Sequence, residues 1–120
     1  MDLVQRVADE LDVDEGKAAD GLGAVFLAIR MALDARTFGL VADAFPDVGE
    51  WMVGAPLSAH WTGEILTIAK PKALRRLLLH AGFTDEEVER LYRIVGCAVR
   101  DAAGAEIHDK ILETLPTLAC

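Results

Sequence analysis

The side chains in this chain that could do chemistry are few and scattered. His60 adjoins Trp61, and an imidazole in an apolar setting is a potential ligand for a metal or a haem. No second ligand stands at metal-site spacing, His80 falls at a helix end, and His108-Asp109 lacks a partner in sequence. No metal and no cofactor are therefore expected. The two cysteines, Cys97 and Cys120, form no Cys-x-x-Cys motif. Cys97 lies in the apolar run Ile94-Val95-Gly96-Cys97-Ala98-Val99, which predicts a buried, inert thiol. Cys120 falls where chain ends fray, and cross-linking on oxidation is the one chemistry open to it. Ser58 is the only serine and has no nucleophile-elbow pattern around it. Gly21-Leu22-Gly23 sits inside a predicted helix with no strand before it, so it is no dinucleotide fingerprint. Nothing singles out a pair among the carboxylates. The chain reads as a non-enzyme.

Two segments remain as candidates for a binding role. The stretch 49–70 contains both tryptophans, Trp51 and Trp61, and carries no formal charge from Trp51 through Gly63. An uncharged segment with two tryptophans must pack over the rest of the chain, meet a partner, or line a pocket. Trp51, His60 and Trp61 are the residues of that candidate surface. The second feature is charge. Asp9 to Glu15 holds five carboxylates in seven residues, and Lys70 to Arg76 holds four basic groups in seven. Cations at a helix start oppose its dipole by a few tenths up to ~1 kcal/mol. One offset would be pairing of Lys72, Arg75 and Arg76 with Asp12, Asp14 and Glu15, within the chain or across a dimer.

The elements that must position these residues are helices. Ala18, Leu22, Val25, Phe26, Ile29 and Leu33 recur at the three-four spacing of one helix face. Asp14 is a suitable cap for its start. On the opposite side Gly21, Ala24, Ala28 and Ala32 form a stripe of small residues, along which another helix can approach closely. This helix is predicted to be buried on most sides.

Sliding the sequence by seventy residues lays 1–48 on 71–118 without a gap. Leu22 then meets Tyr92, Val25 meets Val95, Ile29 meets Val99, and Pro46 meets Pro116. Only seven of the 48 pairs are identical, but the apolar frame holds throughout. Each copy reads as three helices, at about 2–11, 14–34 and 37–45, then 72–81, 84–103 and 105–115. Thr84 with Glu87 makes a capping box, and Gly82 and Gly104 sit where helices should stop. The expectation is an all-α fold, a single helical domain over 1–120 of about six to seven helices, built from two three-helix repeats. The segment 49–70 joins them, with a turn or two of helix at Ile65 to Ala69.

Gly21-Leu22-Gly23-Ala24, the run Phe38 to Phe45 closed by Pro46-Asp47-Val48, Gly54-Ala55-Pro56, Gly82-Phe83 and Gly104-Ala105-Glu106 follow one another in an order similar to the VcgC/VcgE-type family of uncharacterised bacterial proteins. The resemblance implies a bacterial all-α domain. It brings no reaction and no functional residues.

Composition bounds the rest. Hydrophobic residues make up 52% of the chain, an excess that a thick helical core or a subunit interface would absorb. The run Gly21 to Ile29 is closed by Asp20 and Arg30, far short of the ~20 residues a bilayer span needs. Residues 1–6 have neither a basic start nor an apolar stretch, so a cytoplasmic location is expected. A formal charge of −8 argues against nucleic acid as a partner. The acidity is concentrated in residues 1–60, with 11 acidic and 4 basic side chains against 9 and 8 in residues 61–120. The expected function is an interaction module that self-associates as a dimer or meets another protein. The alternative is a binder of an apolar small molecule held between the repeats and capped by the Trp51–Trp61 segment.

Overall fold

A computed structural model describes residues 2–54 and 71–120. The described residues form α1 (Leu3–Leu11), α2 (Glu15–Ala32), α3 (Ala35–Ala44), α4 (Val48–Gly54), α5 (Pro71–His80), α6 (Asp85–Ala103), α7 (Ala105–Thr114) and a closing 3-10 turn (Pro116–Leu118). No strand occurs among them, and the fold is an all-α single domain.

Side-chain oxygens set where four of the helices begin, because the first amides of a helix lack backbone partners. Asp2, Asp14 and Asp34 accept from the amides of Gln5, Lys17 and Thr37 at 2.8, 2.7 and 2.7 Å. The Thr37 amide and hydroxyl hold the Asp34 carboxyl below the usual carboxylate range. Asp34 also starts α3 two residues earlier than the apolar pattern indicates. Thr84 and Glu87 form the reciprocal capping box at the start of α6. The stops are equally local. Asp12 adopts the left-handed region (φ 55°), and the next amide, of Val13, reaches back to the Ala8 carbonyl at 3.0 Å. Gly82 (φ 100°) turns the chain in the same way, with the Phe83 amide on the Leu78 carbonyl at 3.1 Å.

The core is organised around α2, which touches every other described α-helix. Nine of its eighteen residues are buried, so its middle has no solvent face. The small-residue stripe allows this. A Cβ at Gly21 would stand 2.6 Å from the Phe83 ring and 3.1 Å from Leu91. The first helix of each half packs on the long helix of the other, α1 on α6 and α5 on α2.

At a spacing of seventy residues, α2 and α6 start together, and α3 and α7 start and stop together. Ala18 and Val88, Leu22 and Tyr92, Val25 and Val95, Ile29 and Val99, and Val41 and Ile111 are buried in matching pairs. The first helices depart from that register. Val7 is buried where Leu77 is half-buried, and Leu74 is buried where Val4 is half-buried.

The joining segment differs from expectation at its start. The chain forms α4 where that segment begins, a short helix not anticipated there, and Trp51 is 9% exposed, while the turn expected at Ile65 to Ala69 lies outside the described residues. Its ring lies 5.7 Å from that of Phe26, which lies 5.2 Å from Phe45. Burying an aromatic of this size stabilises by about 1.5–3 kcal/mol before entropy is subtracted, enough to hold a seven-residue helix that propensity would not.

Candidate functional site

Trp51 belongs to the core and also to the wall of a cleft of about 340 Å³. Leu3 and Arg6 of α1, the turn Phe45-Pro46-Asp47 with Trp51 behind it, and Ala98, Asp101 and Ala102 of α6 surround it. The cleft therefore opens between the N-terminal half and α6 of the C-terminal half. Its inner surface is aromatic and aliphatic. Its rim carries Asp2, Asp47 and Asp101 against Arg6, three carboxylates to one guanidinium. Asp2 is committed to the amide of Gln5 at 2.8 Å, and Arg6 Nε lies 3.5 Å from Glu10. An apolar floor with a few charges at the mouth suits a small, largely apolar molecule better than an ion. A second cleft of about 270 Å³ lies along the α1–α6 seam and is charged, with Glu10, Arg90, Arg93 and Ile94 around it.

Of the three candidate surface residues, Trp51 is thus placed as a packed wall rather than an open partner surface. His60 and Trp61 lie outside the described residues.

Within the chain, Arg75 takes partners other than the Asp12–Glu15 cluster. Arg75 donates to Glu89 Oε1 at 2.7 Å and to Asp85 Oδ1 at 2.8 Å, both on the neighbouring α6. Those two hydrogen bonds, Glu89 first, raise its pKa further above the ordinary guanidinium value. Asp14 is occupied in capping α2, and Asp12 forms the left-handed turn. Lys72, Arg76 and Glu15 are exposed. Arg75 pairs with the carboxylates nearest in the fold, across one inter-helix turn, because that needs no long-range ordering of flexible side chains.

A different cation joins the two halves. Lys17 Nζ donates to the Gly82 carbonyl at 2.8 Å, lies 5.0 Å from the centre of the Phe83 ring, and stands 4.0 Å from Glu87. It thereby satisfies the stop of α5 from the start of α2. Sequence reading missed it. The only available signal was a lone lysine in the first turn of the most buried helix, set against a Gly-Phe stop that begins 65 residues away.

The cysteine reading is corrected. Cys97 is half-buried rather than buried, and it is joined to Cys120 in a disulfide with Cα atoms 4.7 Å apart. The isolated His108 is buried, with Nε2 2.8 Å from the Leu118 carbonyl. Among the described residues, no group of three or more His, Cys, Asp or Glu side chains is placed to hold a metal ion. No described helix is long and apolar enough to cross a membrane. No protein-family model, curated protein or solved structure matches the chain.

Proposed function

We propose that the chain is a non-enzymatic helical binding module that takes a small, largely apolar molecule into the cleft walled by Trp51. One observation carries the reading: the cleft lies where residues from both halves meet, and its volume of about 340 Å³ falls in the range typical of small-molecule sites. The floor supplies the area, and the mixed charges at the rim suit a ligand with one polar end. We propose also that the two halves descend from one three-helix unit, as the matched burial suggests, and that the chain is akin to the VcgC/VcgE-type bacterial proteins.

Native mass spectrometry of freshly purified protein, followed by titration with an apolar fluorescent probe, tests the cleft. Wild type is expected to carry added mass or to take up one equivalent of probe. Ala98→Phe, which fills the cleft from the α6 side, is expected to lose both. Probe uptake that Ala98→Phe leaves unchanged would place binding elsewhere and refute the assignment.

The second reading is the self-associating module, and exposed side chains favour it. Leu40 is 54% and Met31 and Leu79 are each 39% exposed, large apolar residues on α3, α2 and α5. Size-exclusion with light scattering decides between a dimer and a monomer. A cytoplasmic setting would have to accommodate the Cys97–Cys120 disulfide, a bond that persists mainly in oxidising compartments.

A further inference from the structure

The segment Pro116–Cys120 is held to α6 and α7 by four attachments that converge on five residues. The Leu118 side chain is buried at 1% exposure, and its carbonyl lies 2.8 Å from His108 Nε2. Its backbone lies directly on Gly96: a Cβ there would overlap the Leu118 carbonyl oxygen and come within 2.9 Å of its carbon. The fourth attachment is covalent, the disulfide from Cys120 to Cys97, one residue beyond Gly96. The closing turn is a single 3-10 turn, with backbone bonds from Leu118 to Leu115 at 3.1 Å and from Ala119 to Pro116 at 3.4 Å. So short a turn has little stability of its own. Cys120 is exposed and Cys97 half-buried, so the bond can be attacked from solvent at the Cys120 sulfur.

From this arrangement we infer that Cys97–Cys120 is a thiol-exchange site whose co-reactant is a dithiol reductant, and that it works as a clasp on the segment 116–120. A thiolate of the reductant attacks Cys120 Sγ, and Cys97 leaves as a thiolate that takes a proton. The second thiol of the reductant then attacks its own sulfur in the mixed disulfide and releases Cys120. Two electrons pass to the protein, which gains two thiols, and the reductant becomes a disulfide. Opening removes the covalent attachment, and the short turn lifts from Gly96 and His108. The seat of Leu118 on α6 and α7 is uncovered. In a reducing compartment the clasp stands open, and an oxidant closes it.

The test uses the whole protein in buffers of graded dithiol-to-disulfide ratio. Free thiols are counted by alkylation and mass, and amide hydrogen exchange is followed over residues 112–120. Both thiols are expected to appear together while the helical circular-dichroism signal is retained, and the amides of Leu118 and Ala119 should then exchange about tenfold faster or more. Cys120→Ser should reproduce that fast exchange without reductant. Gly96→Ala, which displaces the segment sterically, should give it with the disulfide still closed. If the bond resists reduction until the helices unfold, the proposal fails. It fails equally if the reduced protein protects Leu118 as well as the oxidised one does, since the bond is then a passive staple.

Discussion

Tyr92 is the residue whose chemistry the fold changes most. It is 1% exposed on α6, and its hydroxyl has no hydrogen-bond partner among the described residues. Burial pushes its pKa from the ordinary 10 up to about 12, with Arg75 pulling it down and Glu89 pushing it up by smaller amounts. A buried hydroxyl with no partner costs about 1–3 kcal/mol, so Tyr92→Phe should raise stability by about 1 kcal/mol. The sign with pH follows from the folded value lying above the unfolded one. The stability tied to the neutral phenol is complete below pH 10 and is lost as pH rises through about 12. Because the chain has one tyrosine, phenolate absorbance reads this group alone. Ionisation should be delayed past the ordinary range, and a midpoint near 10 in the folded protein would show that the hydroxyl reaches water. The apolar character of this position was legible, since Tyr92 matches Leu22 in the seventy-residue register. The missing partner was not, because the sequence does not say which atoms surround a ring.

Helices α2 and α6 depend on how closely they can approach, and Gly21 sets that distance. An added methyl would meet the Phe83 ring at 2.6 Å. Alanine improves helix propensity by up to about 1 kcal/mol, but overpacking a tight contact costs about 1–3 kcal/mol. Gly21→Ala should therefore destabilise in urea or guanidinium unfolding. Gly39 on α3 is the internal comparison. Nothing lies within 4 Å of a Cβ there, so Gly39→Ala should keep the propensity gain. A Gly21→Ala protein as stable as Gly39→Ala would mean that Phe83 is free to swing aside. The caps Asp14 and Thr84 and the stops Gly82 and Gly104 were readable because each acts within one turn of its own helix. Helix α4 was not, since Val48–Gly54 is too short to show a period and forms around Trp51 packed on Phe26.

Across the whole molecule the apolar excess is largely absorbed by one continuous core, running from Val7 to Leu118. The Cys97–Cys120 bond closes a loop of 23 residues in sequence that contains α7 and the final turn. Constraining a loop of that length in the unfolded chain should contribute about 3 kcal/mol. Chemical unfolding with and without reductant is expected to show that difference, and Cys97→Ser with Cys120→Ser should match the reduced protein. Equal midpoints in the two conditions would mean that the unfolded chain gains nothing from release.

The amino-acid sequence by itself determined the all-α class, the order of the helices other than α4, the buried middle of α2 and the caps at Asp14 and Thr84. All of these depend on residues within a few positions of one another, where periodicity and hydrogen-bonding reach are set by the chain. Tertiary structure alone decided the cleft beside Trp51, the Lys17 bridge to Gly82, the choice of Asp85 and Glu89 by Arg75, and the pairing of Cys97 with Cys120. Each joins groups separated along the chain, and their meeting depends on the angle and distance at which helices pack, which an apolar pattern constrains only to a face.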